Sequence, residues 1–268
     1  MYVLMISLAV LTVGPFVYLL LGSLVKGNLL TLFRTGEWLD PARYTLQNYL
    51  GPDGVWATFS RMRLFENTVL ICAVGVTLEL FVSALAAYPL ARMAFPGRGL
   101  VFALMLSTMM LPAQATMIVN FNTIRFLGLY DTYAAVILPS AASVFGIFLM
   151  RQAFITVPKE LDEAARIDGA GDFTIWWRIM LPLTRPALGT LAIFSFVGYW
   201  NSFIWPLVVL KHENKYPLAV GLQFMAEVFD KTFGKIAAGS ILSVIPIIAV
   251  FLLLQKQFIR GITAGAVK

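Results

Sequence analysis

The chain has 268 residues, of which 59% are hydrophobic and 13% are charged, and its formal net charge is +6. A soluble domain of this size has about a quarter of its residues charged, so this composition, with its long apolar runs, indicates a membrane protein. The basic residues are spread over the segments between those runs and form no basic stripe, which argues against nucleic-acid binding.

Six stretches of the sequence are long and apolar enough to cross a bilayer, for which a helix needs about 20 residues. They lie at about 2–25, 67–91, 99–120, 132–150, 186–210 and 236–255. The first stretch has no basic segment before it and no clear small-x-small cleavage site after it, so we predict an uncleaved span rather than a signal peptide. The predicted fold class is an all-α membrane protein with six transmembrane helices in a single domain over 1–268.

The orientation of these spans is not determined by charge. With six spans both termini share one side of the membrane, and the Lys and Arg residues divide equally between the two sides. The rule that cytoplasmic loops are the more basic ones therefore gives no decision. The loop 26–66 is rich in aromatic residues and is predicted to be ordered and partly interfacial.

A polar segment at about 156–185 separates the fourth and fifth spans. Its acidic residues fall where a first helix would begin, and negative charge there suits the helix dipole. Leu161, Ala164 and Ala165 are spaced i, i+3 and i+4, which predicts one small apolar face. Gly169 is placed to end this helix in a left-handed conformation.

A second short helix is predicted over 173–180. Asp172 is a candidate cap at its start, and Pro182 is expected to stop it. Its predicted apolar stripe consists of Phe173, Trp176, Trp177 and Met180. On the residues alone, an interfacial helix pair lying on the membrane and a docking surface for another protein are equally supported.

The same segment resembles a known signature. The segment contains three short motifs, Glu163-Ala164-Ala165, Asp168-Gly169-Ala170 and Leu181-Pro182. Together they resemble the EAA motif of ABC importer permeases. Four further stretches are similar in sequence to carbohydrate importers, in the subunit like the second (G) permease of the maltose system. They are 127–132, 158–161, the pair Trp200-Asn201 and the ending 261–268. The resemblance extends over nearly the whole chain and is most specific over 112–268.

This resemblance implies a type I ABC importer permease in a bacterial-type inner membrane. The EAA segment would be the coupling helix that rests in a cleft of a cytoplasmic ATPase, with residues 151–185 and both termini in the cytoplasm. The partners implied are a second permease subunit, two copies of the ATPase, an external solute-binding protein facing 26–66 and 211–235, and the lipid bilayer. The implied ATPase-coupling residues are Glu163, Ala164, Ala165, Asp168, Gly169, Leu181 and Pro182.

The chain itself is expected to bind no metal or cofactor. Cys72 is the only cysteine and His212 the only histidine, so a cysteine cluster or a two-histidine zinc motif cannot form. The sequence also lacks Gly-x-x-x-x-Gly-Lys-Ser/Thr, the motif that binds ATP phosphates. ATP and Mg²⁺ would therefore be used by the partner ATPase, and we predict a transport subunit rather than an enzyme.

Polar and aromatic residues within the spans are candidates for the substrate path. They are Trp200, Asn201, Glu79, Tyr199 and Asn120. An indole can stack on a sugar ring and an amide can bind hydroxyls, although a helix–helix hydrogen bond explains the Trp200-Asn201 pair equally well. Glu79 is an acid within a span, which is a functional hypothesis by default, but it could instead pair with a partner subunit. Asn120 lies near the outer end of its span and could simply cap it.

Three other functions stay open. The first is a permease for glycerol phosphate or another polar solute; a phosphate cargo favours Arg or Lys within the spans, which contain none, so neutral sugars are favoured. The second is an intramembrane enzyme, which needs convergent catalytic groups, and only Glu79 offers one. The third is a passive channel, which leaves the EAA segment unexplained. Resemblance adds that most sugar contacts in the maltose system come from the other permease subunit.

Overall fold

The computed structural model describes residues 1–25, 27, 29–37, 40–228 and 233–263. Within this part of the chain the residues form helices and no β-strand, with one isolated antiparallel bridge between Val25 and Tyr44. The all-α prediction is therefore confirmed over the described residues. In chain order the helices are α1 (Tyr2–Ser23), α2 (Leu29–Thr35), α3 (Gln47–Leu50), α4 (Val55–Met62), α5 (Leu64–Arg92), α6 (Arg98–Thr108), α7 (Ala113–Phe126), α8 (Tyr133–Ile137), α9 (Val144–Thr156), α10 (Glu160–Ile167), α11 (Asp172–Ile175), α12 (Leu181–Leu183), α13 (Arg185–Trp200), α14 (Ile204–Val209), α15 (Leu218–Val228) and α16 (Phe233–Thr263).

Three helical stretches are individually long and apolar enough to cross a membrane, Leu4–Ser23, Gln47–Arg92 and Phe233–Gln255. Two bent pairs pass the same test together: Tyr133–Ser140 with Val144–Thr156, bent by 45°, and Asp172–Leu183 with Arg185–Trp200, bent by 80°. The described part thus holds three such spans, or up to five if each bent pair crosses as one. The sequence prediction of six spans is supported only to this extent.

Three predicted spans are each divided between two helices. The predicted fifth span, 186–210, is divided between α13 and α14, with residues 201–203 between them. The predicted third span, 99–120, is divided between α6 and α7, and Pro112 lies extended between them. The predicted fourth span, 132–150, breaks after Pro139 and restarts at Ser143, whose hydroxyl caps α9 by accepting from the Gly146 N–H at 3.2 Å. Pro112 is itself extended, which ends the helical conformation there, whereas the turn around Pro139 stays helical through Ala141 and the extended backbone of Ser143 makes the break.

The chain clusters into two compact units. The first comprises Met1–Thr68 and His212–Ile248, and the second comprises Val69–Lys211 and Ala249–Lys268. In the first unit, the Asn67 amide donates to the carbonyls of Asn214 and Tyr216, and Leu218 N–H donates to the Thr68 hydroxyl at 2.7 Å. These bonds attach the loop before α15 to the residues at the start of α5. Most large apolar side chains of α1 are exposed, as expected of a helix that faces lipid.

The second unit has a core built where the polar segment meets two long helices. Buried residues of α5 and α9 pack with Val157, Ala165, Trp176 and Met180, which all belong to the segment between α9 and α13. Arg151, on α9, extends this packing: its Nε donates to the Leu90 carbonyl at 3.0 Å, and its guanidinium lies 4.0 Å from the centre of the Phe102 ring. The polar segment is therefore packed against the ends of α5 and α9.

Candidate functional site

The helix α10 begins and ends as its charges and glycine predict. Glu160, Asp162 and Glu163 lie in its first turn, and no side chain caps it. Gly169 has φ +84°, its N–H donates to the Arg166 carbonyl at 3.0 Å, and the next N–H donates to the Ala165 carbonyl at 2.9 Å. This pair of bonds satisfies carbonyls at the helix end and needs a left-handed residue, so the prediction for Gly169 is confirmed.

The apolar face predicted for α10 is only partly correct. Ala165 is buried, and Asp162, three residues before it, lies on the same inward face. Glu163, Ala164 and Ile167 are exposed, Ile167 by 87%. The two alanines therefore point in different directions, because residues one apart are separated by about 100° around a helix. Ala164 is available to a partner, whereas Ala165 packs inside this chain. Leu161, one turn before Ala165, is 42% exposed, so it lies at the outer edge of that face.

A buried ion pair holds the inward face of α10. Arg92, the last residue of α5, places its Nε 3.5 Å from Oδ2 of Asp162, and both side chains are largely buried. The Arg92 Nη2 also donates to the carbonyl of Val157, just before α10. Burial raises the pKa of the Asp162 carboxyl, and the Arg92 guanidinium opposes that rise. One arginine thus joins the end of a long apolar helix to the start of the polar segment.

The turn after α10 is exposed and carries a second ion pair. Asp168 and Gly169 are exposed in this turn, and Arg166 pairs with Asp172 across it. Both side chains of that pair are about half exposed, so it contributes little stability. The expectation that Asp172 caps the second helix is wrong by one residue, since Gly171 occupies the cap position and Asp172 is the first helical residue.

The second helix is longer and more irregular than predicted. After α11 the chain forms a π-helical turn, Trp176–Met180, in which the Leu181 N–H donates to the Trp176 carbonyl. Pro182 follows without an N–H of its own, and the helix continues through α12 instead of stopping at Pro182. The break comes at Thr184, before Pro186 in the first turn of α13.

The predicted apolar stripe of this helix is divided between two environments. Trp176 and Met180 are buried, and the Trp176 indole N–H donates to the Ala84 carbonyl of α5 at 3.2 Å. Phe173 and Trp177 are exposed, by 64% and 54%. Two of the four side chains therefore attach the helix to α5, and the other two are left on the outside.

The five candidate path residues do not form one site. Glu79 and Tyr199 line a cavity of about 420 Å³ in the second unit. Trp200 is buried, stacks on Phe196 at 5.3 Å, and lines a separate apolar cavity of about 290 Å³ that includes Cys72. The structure therefore separates Trp200 from Glu79, although the sequence offered them as one group.

The two asparagines are placed apart from the Glu79 cavity. Asn201 is exposed and its amide donates to the Val197 carbonyl at 3.0 Å, at the end of α13. Asn120 is exposed on α7 and lines a third cavity with Gln114 and Trp205. Neither amide therefore lines the cavity that contains Glu79.

Sequence reasoning missed the residues that make the Glu79 cavity polar. They are the serines Ser140, Ser143, Ser195 and Ser202. The signal for the first two was present in the Pro139-Ser140-Ala-Ala-Ser143 stretch, where a proline and two serines interrupt an apolar run. Ser195 and Ser202 carry no such signal, because each is a single serine in the apolar run 186–210.

Comparisons with known proteins agree with one another. Residues 79–265 match the model of the family described as binding-protein-dependent transport system inner membrane component. The chain is 36% identical to the arabinooligosaccharides transport system permease protein AraQ of Halalkalibacterium halodurans, over 97% of this chain and 93% of that protein. It is also 36% identical to the sn-glycerol-3-phosphate transport system permease protein UgpE of Yersinia enterocolitica, over 86% and 84%.

A solved structure is similar along the whole chain. It is the crystal structure of a bacterial ABC transporter involved in the import of the acidic polysaccharide alginate, with a TM-score of 0.80 and 29% identity. The similarity covers 96% of this chain and 94% of the chain in that structure.

Proposed function

The chain belongs to the family of binding-protein-dependent transport system inner membrane components, and we propose that it is the permease subunit of an ATP-driven importer for a neutral sugar or oligosaccharide. The observation that carries this proposal is the end-to-end similarity to a permease of an arabinooligosaccharide transport system. Members of this family are transport subunits and not enzymes. The importer places the chain in an inner membrane, where the exposed apolar helices contact lipid.

The proposed assembly contains a second permease subunit, two copies of a cytoplasmic ATPase and an extracytoplasmic solute-binding protein. The ATPase uses ATP and Mg²⁺. The chain forms one permease domain with six spans, and residues 151–185 and both termini lie in the cytoplasm. The loops 26–66 and 211–235 then face the binding protein, although Lys26, Asn28, Trp38, Leu39 and residues 229–232 lie outside the described residues.

The coupling role is assigned to α10 and the turn after it. The exposed face of Glu163, Ala164 and Ile167 offers a partner one carboxylate, one small residue that allows close approach, and one apolar side chain. Such a face on a short helix suits a groove on another protein. Asp168 and Gly169 continue this face, whereas Ala165, Leu181 and Pro182 support it from within the chain.

Energy transfer then follows from how α10 is attached. The ion pair of Arg92 with Asp162 and the hydrogen bond of Trp176 to Ala84 connect the polar segment to α5. When the ATPase closes on nucleotide, displacement of α10 is passed to α5 and α9 through this packed contact. The result is a switch between inward-facing and outward-facing states, biased by differential binding of nucleotide.

A second candidate cargo is glycerol phosphate, favoured by the identity to the UgpE protein. A phosphate site requires basic or other strong hydrogen-bond donors near the path. No Lys, Arg or His is among the described residues that line the Glu79 cavity. This composition supports a neutral sugar over a phosphate.

The proposal is tested by transport in proteoliposomes that contain this chain, its partner permease and the ATPase, with the binding protein outside. We expect ATP inside the vesicles to drive uptake of at least one neutral oligosaccharide from a panel of arabinotriose, lactose and diacetylchitobiose, and no uptake without ATP. Uptake of sn-glycerol 3-phosphate alone would establish the second candidate instead. Uptake that is independent of ATP would contradict the importer and restore the passive channel.

A further inference from the structure

Glu79 is a buried carboxylate that the coupling mechanism does not use. It lies on α5 and is 7% exposed, and no basic side chain among the described residues lies within ion-pair distance of it. A carboxylate within a span is costly unless it has hydrogen-bonding or charged partners. Packing alone therefore does not explain why Glu79 lies within this span.

The cavity that Glu79 lines also contains a buried serine hydroxyl. Ser195 is on α13 and 5% exposed. Its hydroxyl lies near the Glu79 carboxylate but makes no hydrogen bond of normal geometry in the described structure. Buried hydroxyls are rarely left unpaired, because removing one from water without a new hydrogen bond costs free energy. A ligand with its own hydroxyl groups can supply the missing partner.

The break in the predicted fourth span also lines the cavity. Ser140 ends the first half of the run, and Ser143 begins α9, a helix of 13 residues. Ser143 and Ser195 both lie beside the Glu79 carboxylate. The positive end of the α9 dipole favours negative charge at this place, which helps to retain a carboxylate without a nearby cation.

The remaining lining residues are suited to a ring-shaped polar molecule. The Phe145 and Phe194 rings meet edge to face, with centroids 5.5 Å apart, and Tyr199 fixes its own hydroxyl by donating to the Ile137 carbonyl at 3.3 Å. The volume of about 420 Å³ lies within the roughly 300–1,000 Å³ of small-molecule sites. Apolar ring faces beside hydroxyls and a carboxylate match the two kinds of surface on a sugar ring.

We propose that the Glu79 cavity is a subsite for one neutral sugar residue, in which Glu79 and Ser195 bind sugar hydroxyls and the carboxylate disfavours acidic sugars. This inference rests on the proposed function and adds a cargo contact within this chain. A carboxylate accepts hydrogen bonds from two sugar hydroxyls but repels a uronate or a phosphate. The subsite therefore selects neutral cargo after the binding protein has released it.

The charge and accessibility of the cavity can be measured with thiol reagents on the assembled complex. Cys72→Ala removes the native thiol of this chain, and Ser202→Cys places a new one at the edge of the cavity. We expect cationic methanethiosulfonate ethylammonium to modify this cysteine about ten-fold faster than anionic methanethiosulfonate ethylsulfonate, as followed by mass spectrometry of this chain. Glu79→Gln should remove most of that preference. Whichever of arabinotriose, lactose and diacetylchitobiose the importer transports should slow both reactions.

A matched control separates the local carboxylate from general effects. Asn122→Cys, exposed on α7 and outside the cavity lining, should react with a preference that Glu79→Gln does not change. If the preference at Ser202→Cys is independent of Glu79, or if the transported oligosaccharide gives no protection, Glu79 only holds neighbouring protein groups and the subsite is refuted.

Uptake distinguishes failure of the subsite from failure of the proposed function. Glu79→Gln and Ser195→Ala are expected to lower ATP-driven uptake of the oligosaccharide that the unmodified importer transports by about ten-fold, since hydrogen bonds to the cargo are lost. Ser107→Ala, an exposed hydroxyl on α6 that bonds to its own helix, should leave uptake unchanged. Normal uptake by both cavity variants would overturn the subsite alone, whereas an intact complex that transports no neutral sugar would overturn the proposed function.

Discussion

Gly169→Asp is expected to lower coupled ATP hydrolysis strongly while leaving the permease folded. Gly169 has φ +84°, and a Cβ there would meet nothing within 4 Å, so no internal clash arises. Aspartate tolerates the left-handed conformation better than most residues, at a cost of about 1 kcal/mol. The large effect is expected outside the chain, because a charged side chain then stands on the exposed turn that we assign to the ATPase contact. We expect a loss of about ten-fold or more in binding-protein-stimulated ATP hydrolysis.

The control for this variant is Gly97→Asp. Gly97 has φ +80°, also has nothing within 4 Å of a built Cβ, and lies in the turn before α6. The backbone cost is therefore the same, but the position is outside the polar segment. Equal loss of coupled hydrolysis in both variants would attribute the effect to backbone strain, and normal coupling in Gly169→Asp would remove the turn from the contact.

Arg92→Met is expected to destabilise the permease by about 3–5 kcal/mol, because it leaves the buried Asp162 carboxylate without its cation. It also removes the donor to the Val157 carbonyl. Without Arg92 the pKa of Asp162, which burial already raises, rises further. A folded-state pKa above the unfolded value means that the carboxyl favours folding only while it is protonated. The defect should therefore be small near pH 4 and grow as the pH rises through the folded-state pKa.

The measurement is thermal unfolding of the purified chain in detergent across that pH range. Asp162→Asn combined with Arg92→Met should recover part of the lost stability at neutral pH, since the unpaired charge is gone. Arg98→Met is the matched control: Arg98 donates to the Met93 carbonyl at 2.9 Å and no described carboxylate lies within ion-pair distance. A pH-independent defect in Arg92→Met, or no recovery in the double variant, would show that the ion pair is not what holds α10.

Local sequence patterns predicted the parts of the molecule that depend on neighbouring residues. The apolar runs indicated the long helices, and Gly169 indicated a left-handed helix end, because backbone conformation is decided within a few residues. The positions at which the apolar runs break into separate helices were harder to predict. Pro112 and Pro139 lie inside uncharged runs, and proline in a membrane helix can either kink the helix or end it.

The direction in which a side chain points depends on contacts between residues that are distant in sequence, so the sequence patterns did not predict it. Ala165 turns inward because α10 packs on the core of α5 and α9, and Ala164 is left outside by the same rotation. The pair of Arg92 and Asp162 joins residues 70 positions apart, and the hydrogen bond from Trp176 to Ala84 joins residues 92 positions apart. The Glu79 cavity likewise collects serines from α13 and from the break before α9. No periodicity within one helix encodes such pairings.

The central claim is that the exposed face of α10 contacts an ATPase, and photo-crosslinking tests it most directly. With Cys72→Ala as background, Ile167→Cys is labelled with benzophenone maleimide in membranes that contain the whole importer and is then irradiated. Phe126→Cys is the control, since Phe126 at the end of α7 is 90% exposed and Ile167 is 87% exposed. We predict an adduct between Ile167→Cys and the ATPase, changed in yield by ATP, and none from Phe126→Cys. An Ile167→Cys probe that labels only lipid or its own chain would contradict the coupling assignment.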